Sequence, residues 1–142
     1  MVAKLDKRDI RQRVSDWVSR LTKLYAQLDV WLRDVPGAQV LRGDVEQINE
    51  EVMQQFGVRP QQVPTYTVVK GKRRVSFVPS SLWIIRANGR VNITTNKNQY
   101  MLLDMGGADG QPSDWQLVTW SLKRPTAPFD RERFLALVER DI

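Results

Sequence analysis

The stretch "DIRQRVSDWVSRLTKLYAQLDVWLRDV", Asp9 to Val35, decides how the rest of this chain can fold. It contains no Gly or Pro, and Pro36 and Gly37 end it. Ile10, Val14, Trp17, Leu21, Leu24, Leu28, Trp31 and Val35 follow one another in steps of four and three. That is the a/d pattern of a heptad repeat, and it predicts a helix from about Asp6 to Val35. Val18, Tyr25 and Leu32 add a second apolar row beside this seam. The stripe is therefore wide, as on a helix that lies on a globular core. A rod of roughly 43 Å would overhang a domain of this size. Val14, Trp17, Leu21, Leu24, Leu28 and Trp31 are accordingly the candidate partner-binding residues, with a symmetric homodimer or another protein as the cover.

A second helix is expected from Asp44, with Gln47 completing a capping box and Val45, Ile48, Val52 and Phe56 on its apolar face. Gly57 and Pro60 close it. From Thr65 the period changes to two. Asn88–Gly89 reads as a two-residue turn joining "SLWIIRA" to "RVNITT", which pairs Leu82 with Thr95 and Ile84 with Ile93. Lys70–Gly71 reads as another turn, with Val69 facing Lys72 and Tyr66 facing Val75. "QYMLLDM" and "WQLVTWSL" complete five strands, separated by the Gly/Asp-rich loop 106–114. A last helix runs from about Asp130 to Arg140 on Phe134, Leu137 and Val138. The fold class is α+β in a single domain: a helical part over 1–57, a five-stranded antiparallel meander over 65–122, and a C-terminal helix over 129–141. Strands apolar on both faces predict cover on both sides of the sheet, one side by the long helix and the other by the C-terminal helix or a partner.

Composition narrows the chemistry. The chain of 142 residues has no Cys and no His. Disulfides, thiolate nucleophiles and Ser–His–Asp or Cys–His mechanisms are excluded, so catalysis would fall to Asp, Glu, Lys, Arg, Tyr or Ser. No cofactor or metal site is indicated. No apolar run approaches a membrane span, and the charged N-terminus lacks a secretory signal, so a cytoplasmic protein is expected.

The net charge of +6 is uneven. Between Gln61 and Gln99 there are seven basic residues and no acid. Lys70, Lys72, Arg73, Arg74, Arg90 and Lys97 are the candidate anion or nucleic-acid contacts, set against the plainer reading of a solvated basic surface. Trp83, Tyr100, Trp115 and Trp120 could stack bases or simply fill the core. Asp104, the one acid inside a strand, with Asp109 and Asp114 in the following loop, could hold a divalent cation or cap that loop. Arg86 is its expected ion-pair partner, and the two form the small-ligand candidate.

These observations rank three functions. The first is a non-catalytic interaction or oligomerisation module acting through the heptad helix. The second is a nucleic-acid-binding module using the basic hairpins. The third is a hydrolase or binder of small anions around Asp104.

Overall fold

A computed structural model of the chain describes residues 6–42, 45–82, 87–108, 110–118 and 126–141. It is α+β, with an N-terminal helix, a mostly antiparallel sheet and a C-terminal helix. Helix α1 spans Lys7–Leu32. Asp6 caps it: its carboxylate accepts from the Asp9 N–H, and the Asp9 carboxylate accepts from the Asp6 N–H. No described helix is long and apolar enough to cross a membrane.

The main sheet has seven strands rather than five. In chain order the strands are β1 (Ala38–Leu41), β2 (Val45–Ile48), β3 (Gln61–Pro64), β4 (Tyr66–Lys70), β5 (Arg73–Pro79), β6 (Arg90–Thr94), β7 (Gln99–Asp104), β8 (Trp115–Val118) and β9 (Thr126–Pro128). Their order in the sheet is β1-β4-β5-β6-β7-β8-β9. β2 and β3 form a separate two-stranded antiparallel sheet, Val45 facing Pro64 and Ile48 facing Gln61.

The expected second helix is thus mostly strand. Val45–Ile48 pairs with Gln61–Pro64, and helix α2 is only Glu51–Gln55. Apolar residues at 45, 48, 52 and 56 fit a helix, but cross-strand pairing takes the first two. The proposed cap, Asp44, lies outside the described residues.

Asn88–Gly89 is not a turn. β6 pairs with β5, Phe77 facing Ile93 and Pro79 facing Val91. Asn88 N–H donates to the Asp104 carbonyl and Asp104 N–H donates to the Gly89 carbonyl, extending the β6–β7 ladder. Glycine is needed at 89 for space: a Cβ there would stand 2.5 Å from the Trp17 ring. The neighbouring hairpin turns at Gly71–Lys72, with Lys70 facing Arg73 and Tyr66 facing Phe77. The two-residue shift from the expected register keeps every side chain on its expected face. Gly71, at φ +60°, fits the first central position of such a turn.

Both long helices lie on one face of the sheet. The a/d seam of α1 packs on Tyr66, Phe77, Val91, Ile93, Leu102 and Leu117, all buried. Its second apolar row meets the β2–β3 ribbon: Tyr25 stacks on Tyr66 at 5.1 Å and donates to the Pro64 carbonyl at 2.8 Å. Helix α3 (Arg131–Arg140), capped by Asp130, lies beside α1, with Trp31 5.9 Å from Phe134 and Phe134 5.9 Å from Phe77. The expectation that helices cover opposite faces is corrected by this arrangement.

The close approach at Gly89 gives a test of the packing. Gly89→Ala should destabilise the protein by about 1–3 kcal/mol through overpacking. Shortening the opposing ring with Trp17→Leu should make the double variant cost less than the two single substitutions together. Urea unfolding of the four proteins measures this, and strict additivity would contradict the contact.

Candidate functional site

The candidate acid, Asp104, is completely buried at the end of β7. Its Oδ1 accepts from the Gly106 and Asp114 N–H groups at 3.0 and 2.9 Å. Its Oδ2 accepts from Arg20 Nη1 at 2.8 Å and Ser113 Oγ at 2.7 Å. Four bonds saturate the carboxylate, leaving no lone pair for a metal or substrate. Burial pushes the Asp104 carboxyl up. The bonds from Asp114, Ser113, Gly106 and Arg20 outweigh that and hold it below its usual value.

Arg20 is equally committed. Its Nε donates to Asp16 at 2.6 Å, Nη1 to Asp104 and Ser113, and Nη2 to the carbonyls of Gly107 and Ala108. Burial works against its charge, but Asp16 and Asp104 overcome this and raise its pKa. The pair clasps loop 105–114 to the middle of α1. It does the work expected of Arg86, which lies outside the described residues. Asp109 lies outside them too, and Asp114 accepts from Gln116 Nε2. Among the described residues no group of three or more acids, His or Cys is placed to hold a metal. Sequence reasoning passed over Arg20 because it flanks the seam. The available signal was Asp16 one turn before it, a spacing that pairs opposite charges on a helix.

The seam residues Val14, Trp17, Leu21, Leu24 and Leu28 are buried in the chain's own core. Trp31 is half-buried between Phe129 and Phe134. A sheet seven strands wide spans roughly 29 Å, and with the ribbon it shelters α1 from Ile10 to Leu32. The overhang expected for a compact small domain does not arise. Leu24 and Trp31 still border a groove of about 620 Å³, with Lys23 on its rim and Trp115 and Phe129 across it.

The six basic candidates separate into three groups. Lys70 pairs with Glu139 at 2.6 Å, and Arg73 donates to the Val138 and Leu137 carbonyls, so both serve the C-terminal end of α3. Lys72, Arg74 and Lys97 are exposed at two adjacent hairpin tips. Asn96 ties those tips together by accepting from the Arg74 N–H and donating to the Lys72 carbonyl. Arg90 lies half-buried on the sheet, its Nε donating to Asn92 Oδ1 at 2.8 Å.

Tyr100 and Trp115, two of the possible stacking aromatics, are on the helix side. Tyr100 donates to Asp141, and Trp115 packs against Trp17 at 5.8 Å. Trp83 and Trp120 lie outside the described residues. The opposite sheet face carries Val69, Arg74, Val78, Arg90, Asn92, Met101, Leu103, Gln116 and Val118 by strand alternation. No described helix packs on it, and none of its described residues is Asp or Glu.

Arg20→Met should cost about 3–5 kcal/mol, because it strands a buried carboxylate, and Arg20→Lys should restore only part of that. Because the Asp104 pKa is depressed by folding, its stabilising effect is full above the unfolded carboxylate value of about 3.9 and is lost as pH falls through the folded value. Asp104→Asn should lower stability at pH 7 and flatten the loss between pH 4 and 2. Urea midpoints across that range read both effects. In comparisons with known proteins, no family model, no curated protein and no solved structure matches this chain.

Proposed function

We propose that this protein is a non-catalytic protein-interaction module that docks an acidic surface of a partner protein on the sheet face opposite its helices. The observation that carries this reading is the composition of that face. Met101, Leu103 and Val118 form an apolar patch over β7 and β8, Asn92 and Arg90 on β6 separate it from Val78, Arg74 lies toward the hairpin tip, and the face's described residues include no carboxylate. Protein interfaces have this bias: Met and Arg are enriched, and Asp and Glu are depleted. The apolar patch loses water on contact while the arginines steer an anionic surface into register.

Charge also argues against the alternatives on this surface. Two copies docked face to face would set Arg74 and Arg90 against arginines of the same kind. A nucleic acid would find cations here and at the hairpin tips, but no described aromatic on this face to stack a base. Docking thus moves from the heptad seam, whose side chains fill the core, to the sheet that the seam supports. Asp104 has no free valence for acid–base work, which accords with a non-catalytic role.

A photo-crosslinking amino acid in place of Met101, with a second variant carrying it in place of Gln12 on the exposed side of α1, tests this in cells. The expected result is a protein adduct at position 101 and none at position 12. The adduct should fall about tenfold in the Arg74→Glu/Arg90→Glu background, with thermal stability unchanged. Three outcomes contradict the proposal: adducts only to a second copy, nuclease-sensitive adducts, or protein adducts indifferent to the two arginines.

A further inference from the structure

We infer that Arg90 and Asn92 form a site for a single carboxylate, the anchor by which a partner's Asp or Glu side chain is held; this rests on the docking face proposed above. The site is a depression of about 290 Å³ across β6 and β7, lined by Arg90, Asn92, Thr94, Gln99, Tyr100 and Met101. The Arg90 backbone is held on its β5 side by two bonds: its N–H donates to the Ser81 carbonyl, and its carbonyl accepts from the Ser80 N–H. The side chain is held too, because Asn92 Oδ1 takes the Nε–H and fixes the guanidinium plane. Nη1 and Nη2 make no hydrogen bond or ion pair with any other described residue. That leaves two parallel donors with little freedom left to lose, the geometry that binds a carboxylate in bidentate fashion.

The charge count selects the ligand. One cation lines the depression, and its other polar groups are neutral amides and hydroxyls. A monoanion is matched, whereas a dianionic phosphate would be left half-compensated. Arg74 offers little help, since its N–H bonds Asn96, six positions along the β6 side from Arg90 or roughly 20 Å at strand rise. Asn92 brings a side-chain amide donor beside the guanidinium, and Thr94 and Gln99 extend the polar rim.

Titration of the purified protein with sodium acetate, at ionic strength held constant with chloride, tests the site in the absence of any partner. The probes are the Arg90 Nε–H and Asn92 side-chain amide NMR signals. Both should shift saturably to one site. Arg90→Lys, which keeps the charge but not the fork, should bind about fivefold more weakly, the weight of one hydrogen bond. Arg90→Gln should abolish saturation while leaving the remaining amide spectrum in place. A linear, non-saturating drift, or saturation that survives Arg90→Gln, overturns the inference. Inorganic phosphate binding more tightly than acetate also overturns it and reassigns the site to phosphate. Failure here is distinct from failure of the docking face: adducts at position 101 that depend on Arg74 alone would retain the face and remove the anchor.

Discussion

A guanidinium can leave water only if its five N–H groups all find acceptors, and Arg20 meets that condition in the middle of this protein. Its acceptors come from three places: Asp16 on the same helix, Asp104 at the end of β7, and the loop that follows. Loop 105–114 offers little apolar surface and could not hold itself against α1 by burial. The clasp supplies the attachment in its place. It also fixes the end of β7 opposite Gly89, and Gly89 is where Trp17 presses on the sheet. The helix height, the loop path and the final strand register are thus set at one point. An unsatisfied partner at that point is expensive, so the arrangement is specific as well as stable.

With α1 held there, the remaining layering follows from how apolar surface is distributed. The seam takes the sheet, Tyr25 of the second row meets β3 at Pro64, and α3 fills the space beside Trp31. All of this happens on one side. An antiparallel sheet tolerates a wet face, but such a face ordinarily alternates to polar residues. Here Val78, Met101, Leu103 and Val118 remain on the side where no described helix packs. The heptad pattern therefore correctly marks a greasy rod in need of cover. The cover comes from within the molecule, and the far side of the sheet is the one on which no described helix packs.

What was legible in the sequence was what one local rule decides alone. The apolar steps of α1 gave a helix within a few residues of Lys7–Leu32, and Asp130 with Phe134, Leu137 and Val138 gave α3. At the β4–β5 hairpin the expected register was off by two residues, which leaves the alternation of faces intact. The errors came where a local signal competed with a distant contact. Asn88–Gly89 is a strong hairpin signal, yet its glycine answers a steric demand from Trp17, seventy-two positions earlier in the sequence. Val45–Ile48 fits a helix until Gln61–Pro64 is present to pair with it. Arg20 carries no mark of burial in the sequence, because its acceptors lie in a loop almost ninety residues on.

The charges are sorted by the same logic, and the sorting makes the far face distinctive. On the helix side three cations that face the sheet or its loops are matched: Arg20 by Asp16 and Asp104, Lys70 by Glu139, and Arg73 by the terminal carbonyls of α3. Aspartates there are matched as well, Asp141 receiving Thr95 and Tyr100 hydroxyls and Asp29 that of Tyr66. On the far side, Arg74 and Arg90 form no ion pair with any described residue. Positive side chains set around apolar ones on the far face support the proposed docking of an acidic surface.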